Sequence, residues 1–302
     1  MISIVTAYYN RKNLFIRTLK SIQAQNFSGE YEVIAVDDGS DKEERLEDLI
    51  SEFPFLKIIR LEKENKWYKN SCIPFNIGFK AAKGDKIIIQ NPECYHYSPI
   101  LQYVEDHLNE NMYLSFGCFS LAKKETENLD NLINKDEINN LINRYNHIVE
   151  RDGDNGWYNH SVFRPKSYHF CTAISRNDLL DRGGFDERYA HGIGVDDDEI
   201  IFRIKLKRMA IVFVDEVFVL HQNHYINSPI LNTIEIRKIK DDLYADNLRL
   251  FNQITKKNIW WRTGYLPGQE TLSNNVTNDD ARMYQNVLLR QLLNISQSRV
   301  KR

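Results

Sequence analysis

The sequence lacks the features that would tie it to thiolate metal binding, to nucleic acid or to a bilayer. Its four cysteines, Cys72, Cys94, Cys118 and Cys171, are scattered without CxxC spacing, which excludes a thiolate zinc site or a disulfide scaffold and points to a reducing compartment. Neither sign of charge prevails, since 40 Lys and Arg against 42 Asp and Glu leave a formal net charge of -2. No basic stripe is available to neutralise a phosphate backbone, so no nucleic-acid partner is expected. No apolar run approaches the roughly 18 residues that a membrane span needs. A β-rich run beginning at Ile2 leaves no room for a signal peptide. The expectation is a cytoplasmic protein, peripheral at a membrane surface if it meets one.

What is present is an ordinary globular composition over 302 residues, 42% hydrophobic and 27% charged. The stretch Ile87-Ile88-Ile89-Gln90-Asn91-Pro92-Glu93 reads as a buried strand that stops at a small polar cluster. Proline has no N–H with which to continue a ladder, and the residues after such a strand face the cleft of an open α/β sheet. Upstream, a strand at Ile2 to Thr6 feeds a helix between Arg11 and Gln25. A strand at Tyr31 to Val36 ends in Asp37-Asp38-Gly39-Ser40, and a helix carrying Leu46, Leu49 and Ile50 closes at Pro54. A strand at Leu56 to Leu61 and a helix from Asn70 to Lys83, capped by Gly84, complete the alternation. This pattern predicts an α/β fold, a mostly parallel doubly wound sheet with helices on both faces.

From about 122 to 152 the composition turns polar, yet Ile138, Leu141, Ile142, Tyr145 and Ile148 recur at helical spacing, so an ordered helical insertion is expected. An aromatic, histidine-bearing stretch follows, with Trp157, Tyr158, His160 and His169 in it. Trp157, Tyr158 and His160 are candidates for holding a ligand, since an aromatic face suits the C–H face of a ring such as a sugar's, or alternatively for pinning a loop to the core. Past a domain of residues 1–224, a C-terminal helical extension of residues 225–302 is expected, with helices near 230–251 and 280–293.

Four polar clusters fall at strand ends or in loops: Asp37-Asp38, Asn91-Pro92-Glu93, Asp196 to Glu199, and His221 with His224. Acids before a helix have a structural use as caps. Capping needs one aspartate, however, and packed like charges require a cation or a donor to answer them. Together the clusters suit transfer from a nucleotide-diphosphate donor, which needs a divalent cation, Mn2+ or Mg2+, on the leaving group and a carboxylate base on an acceptor hydroxyl.

Several segments in consistent order, Ser3 to Arg11, Val33 to Ser40, Asn76-Ile77-Gly78 with Ala81 to Asp85, Gly183 to Glu187 and the acidic run to Arg203, resemble the family 2 glycosyltransferases of GT-A fold. The resemblance implies that Thr6, Tyr8, Asn10 and Arg11 deliver backbone and side chains to the nucleotide. It implies that Asp38, with Asp37 beside it, contacts the base or ribose, and that Asn76 belongs to the donor site. Asn91-Pro92-Glu93 falls on the family's DxD motif, with Glu93 as metal ligand and His221 or His224 completing the shell. Asp197 aligns with the catalytic base, with Asp196 or Asp198 as its nearest competitors. The implied activity is inverting transfer from a UDP-sugar to a glycan, lipid-linked or protein hydroxyl. In place of the first DxD acid stands an amide, which contributes no charge to a metal site. Two rivals remain: a nucleotidyltransferase, against which the glycine-free Tyr8-Tyr9-Asn10-Arg11 counts, and a silent nucleotide-sugar binder.

Overall fold

Successive residues of a strand point to opposite faces, so a strand buried on both faces feeds two cores at once. The computed structural model, which describes residues 1–130, 135–150, 153–224 and 234–256, shows this alternation directly. Ile2, Ile4, Val33, Ala35 and Ile88 join one apolar cluster, completed by Phe15, Leu19, Ile100 and Val104. Val5, Ile34, Val36, Ile87 and Ile89 join the other, with Phe75, Phe79, Leu179 and Ile200. Helices therefore cover both faces.

In chain order the elements are β1 (Ile2–Tyr8), α1 (Lys12–Gln23), β2 (Tyr31–Asp37), β3 (Leu56–Arg60), α2 (Cys72–Ala81), β4 (Lys86–Gln90), β5 (Cys94–His96), α3 (Ile100–His107) and β6 (Met112–Ser120). There follow α4 (Lys123–Glu127), α5 (Lys135–Tyr145), β7 (Gly156–Asn159), β8 (Cys171–Ser175), α6 (Arg176–Arg182), α7 (Asp196–Leu206), β9 (Ala210–His221) and α8 (Ile234–Lys256). The strands form one sheet in the order β3-β2-β1-β4-β8-β6-β9-β5, with β7 paired to β6. Strands β3, β2, β1 and β4 are parallel neighbours. Beyond them the sheet is mixed, because β8 runs antiparallel to both β4 and β6 whereas β9 runs parallel to β6.

Two local expectations give way to tertiary context. Residues 42–50 form only short 3-10 turns, interrupted at Arg45 by an extended ψ of 150°. Glu44 is recruited elsewhere: its carbonyl accepts from the Tyr8 hydroxyl at 2.7 Å and its carboxylate accepts from the Lys12 amide at 2.7 Å. Gly84 is not a helix cap; a Cβ there would lie 2.6 Å from the Ser3 nitrogen, so it is a close approach to β1. Residues 210–221 form one long strand with a bulge opposite Phe116 and Gly117.

The insertion carries two helices, α4 and α5, with its own small core of Leu129, Ile138, Ile142, Trp157 and Leu220. All four cysteines are free and buried. The expected boundary at 224/225 and the expected helix near 280–293 lie outside the described residues. Helix α8 packs directly on the loop that starts α7: the Asn247 amide donates to the carbonyls of Tyr189 at 3.1 Å and Gly194 at 2.9 Å, and Ile254 packs with Tyr189 and Val195. Among the described residues no helix is long and apolar enough to cross a membrane.

Candidate active site

The sheet topology brings the carboxyl ends of β1, β2, β4, β6 and β9 to one edge, together with the amino end of β8. The registers Tyr8 with Asp37, Gln90 with Cys171, and Ser120 with His221 set that edge. Two carboxylate–histidine clusters lie along it.

The first is built on Glu93, in the turn after β4. Its side chain is 1% exposed. Oε1 lies 3.1 Å from His221 Nε2 and 3.3 Å from His224 Nε2, and Oε2 accepts from Arg11 at 2.7 Å. Burial alone would push this carboxyl up; Arg11, then the hydrogen bonds from the two histidines, outweigh it and hold Glu93 well below the ordinary carboxylate range. The donor set suits a divalent ion. One carboxylate and two imidazoles offer one atom each, all within 4.8 Å of one another. Cis ligands on an octahedral ion with bonds of about 2.1 Å stand about 3 Å apart, close to the two oxygen–nitrogen separations seen here. His221 Nδ1 has no hydrogen-bond partner among the described residues.

The second cluster starts α7. Val195, a β-branched residue at φ 68°, reverses the chain into the helix, a conformation costing about 1–3 kcal/mol that persists only where the surroundings enforce it. Its contacts with Tyr189 and Ile254 supply that enforcement. The acids that follow occupy the first helical turn, and none caps it, since Val195 is the N-cap. Each acid has its own partner. Asp196 accepts from Asn70 at 3.0 Å, Asp198 from the Tyr168 hydroxyl at 2.9 Å, and Asp197 from the His169 amide at 2.9 Å and from His169 Nδ1. Both bonds to Asp197 fall on Oδ1. Burial and then Asp197 push the Asp196 carboxyl up. His169, although burial opposes its protonation, is raised by Asp197.

One junction joins the two clusters. The Asn91 amide donates to the Phe170 carbonyl at 3.2 Å, and the Phe170 ring lies 6.1 Å from that of His221. Tyr168 and His169, which hold Asp198 and Asp197, are the two residues before Phe170. Glu93, His221, His224, Asp197 and Asp198 therefore share one neighbourhood.

Toward β2, Asp38 accepts from the Tyr68 hydroxyl at 2.6 Å and from Lys66 at 2.5 Å. The strap from Lys66 to Asn70 runs from Asp38 to Asp196, and the amides of Lys69 and Asn70 both donate to the Ala190 carbonyl. Trp67 stands on it 58% exposed, its ring 5.3 Å from His191.

Other expected site residues have structural work. Asn76 is 1% exposed, and its amide holds Phe185 and Glu187 through three bonds of 2.8–2.9 Å; it clamps the 184–187 turn and has no face for a cofactor. The Tyr8 side chain is wholly buried and bonded to Glu44. Asp37 is fully buried and answered by Arg60 at 2.9 Å and the Ser40 amide at 2.8 Å. Asn10, at φ 47°, exchanges two hydrogen bonds with Asp41. Thr6 Oγ1 is buried with no partner among the described residues. Trp157 and Tyr158 are 3% and 5% exposed, Trp157 packs edge-on against Phe119, and His160 packs on Trp157 and Phe163. Trp157 and Tyr158, on a strand buried along its whole length, pin the loop to the core, and the Tyr158 ring lies 4.6 Å from that of His221. His169 and Tyr168, which sequence reasoning left unassigned, are the residues that face the acids.

A doubly covered α/β sheet with paired carboxylate–histidine clusters at its strand ends is the arrangement of an enzyme that binds its ligand beyond those ends. The family model for Glycosyl transferase family 2 matches residues 3–165, more than half of the chain, and the chain belongs to that family and is a glycosyltransferase. It is 25% identical over 224 residues to chondroitin synthase of Escherichia coli, a match covering 67% of this chain and 32% of that protein, so it spans about a third of that relative's length. Its fold is similar to that of the mannosyltransferase PcManGT from Pyrobaculum calidifontis, solved with GDP-Man and Mn2+ (TM-score 0.50, 15% identity, 88% of this chain and 69% of that one). It is likewise similar to that of GalNAc-T7, solved with UDP, GalNAc and Mn2+ (TM-score 0.50, 16% identity, 78% and 46%). These likenesses show the GT-A fold. The matched family segment ends before Asp197, His221 and His224.

Proposed function

We propose that the chain moves a sugar from a UDP-sugar to a glycan hydroxyl with inversion. The observation that carries this reading is the meeting of the Glu93–His221–His224 and Asp197–His169 clusters at the Asn91–Phe170 junction. Glu93, His221 and His224 would hold a divalent ion, which supplies positive charge to the leaving diphosphate. Asp38, braced by Lys66 and Tyr68, lies at the end of β2, where the nucleoside would sit. Asp197 is the base. Because His169 takes two bonds on Oδ1, Oδ2 is left to receive the acceptor's proton, the geometric requirement of a general base. His169 is a positioning residue in this scheme. Trp67 beside His191, on the strap between Asp38 and Asp196, replaces Trp157, Tyr158 and His160 as the aromatic face for an acceptor sugar. GalNAc-T7 was solved with UDP and the mannosyltransferase with GDP-Man, so the choice of nucleotide is itself put to the test.

The test is release of UDP or GDP from panels of UDP- and GDP-sugars with Mn2+, with and without glycan acceptors, in the wild type and Asp197→Asn. Acceptor-stimulated UDP release that Asp197→Asn abolishes while UDP still binds is the expected result. Turnover of GDP-sugars alone would overturn the choice of nucleotide, and full activity in Asp197→Asn would remove the base.

A further inference from the structure

The two oxygens of Glu93 face different cations. Oε1 faces the imidazoles that would share a metal, and Oε2 is held by Arg11 at 2.7 Å. Asn91 adds no charge, and the Glu93 carboxylate is already answered by the Arg11 guanidinium. A divalent ion arriving alone would meet a carboxylate already neutralised by a guanidinium on its far side, which opposes binding at Glu93. Arg11 has somewhere else to go. Its side chain is 31% exposed, it stands at the residue before α1, and guanidinium groups bind phosphate oxygens in bidentate fashion.

Resting on the donor and metal assignment above, we propose that Arg11 couples the two ligands. Without nucleotide it neutralises Glu93 and keeps the site weak for a divalent ion. When a nucleoside diphosphate arrives, Arg11 moves to the diphosphate, releases Glu93 and lets the ion bind tightly. Metal and nucleotide then bind with strong positive cooperativity, equal in both directions as linkage requires.

Direct binding measures this without turnover. Free Mn2+ is titrated with the full chain by electron paramagnetic resonance, with and without UDP, in the wild type, Arg11→Met, Arg11→Lys and Glu93→Gln, each checked for a cooperative thermal transition. The wild type should bind Mn2+ weakly alone and at least about 10-fold more tightly with UDP, within the usual span of coupling between sites. Arg11→Met should bind Mn2+ alone about 10-fold more tightly than the wild type, and UDP should add little. Arg11→Lys, which keeps the charge, should stay weak without nucleotide, and Glu93→Gln should lose Mn2+ in all conditions. Unchanged cooperativity in Arg11→Met would overturn the role of Arg11 while leaving the donor and metal assignment standing. Failure of the wild type to bind Mn2+ even with UDP would overturn both.

Discussion

Replacing Asp197 by Asn should change stability in a pH-dependent way whose sign the structure sets. Asparagine keeps a carbonyl oxygen for the His169 amide and ring, so the substitution removes charge rather than geometry. A hydrogen bond to a charged group contributes about 1.5–3 kcal/mol and a neutral one about 0.5–1.5 kcal/mol, so the charge contributes about 1–1.5 kcal/mol. His169 is faced by Asp197, Asp196 and Glu93, which raise its pKa against burial. A group whose folded pKa is raised stabilises the fold fully below its unfolded value, about 6.5 for histidine, and that contribution is lost as pH rises through the folded pKa. Asp196 acts in the same direction. Burial and Asp197 raise its carboxyl, with His169 and Asn70 opposing. The fold therefore loses stability as Asp196 ionises, and removing the Asp197 charge relieves part of that loss. Urea unfolding at fixed ionic strength should show Asp197→Asn costing about 1–1.5 kcal/mol near pH 5.5 and little or nothing near pH 8.5. A cost equal at both pH values, or one that grows with pH, would refute the reasoning.

Asn76→Ala removes three hydrogen bonds from a site 1% exposed and should destabilise by about 2–4 kcal/mol. UDP affinity, measured by calorimetry, should stay within about twofold; a stable variant that loses UDP would restore the donor-site reading of Asn76. In Gly78→Ala the new Cβ would stand 2.4 Å from Val5 Cγ1 and 3.2 Å from Val36 Cγ2, lifting α2 from the sheet at a cost of about 1–3 kcal/mol, readable in the denaturation midpoint. Trp67→Ala should raise the acceptor KM about 10-fold, roughly the loss of one ring contact, with acceptor-independent UDP release and the thermal midpoint unchanged. An unchanged KM would take Trp67 out of the acceptor site.

The parallel half of the sheet is legible in the sequence for a physical reason. Strands buried on both faces are mostly apolar along their length, so β1, β2 and β4 stand out as β-branched runs between helical segments. The 42–50 segment was not, because its periodicity fits a helix while Glu44 makes tertiary bonds to Tyr8 and Lys12. Propensity does not register such competition. β5, three residues long, exists because β9 offers it an edge. The mixed half of the sheet depends on which strands become neighbours, and that is a property of the folded chain.

The site divides along the same line. The acids and late histidines were visible because they cluster in sequence at element ends, but their answering groups come from far away: Arg11 and Glu93 are 82 residues apart, and His169 and Asp197 are 28 apart. A signal for His169 existed. It lies two residues before β8, and once β8 is placed antiparallel to β4, with Cys171 opposite Gln90, the residues just before β8 must fall beside the turn that carries Asn91 and Glu93. The open alternative for Trp157, Tyr158 and His160 has the converse cause. Aromatic and histidine side chains look alike in sequence whether they face a sugar or a core, and β7 joins the sheet buried along its whole length. Exposure separates the two cases: Trp157 and Tyr158 are 3% and 5% exposed, whereas Trp67, on the strap from Asp38 to Asp196 beside His191, is 58% exposed, and only a ring in solvent can offer its face to an acceptor.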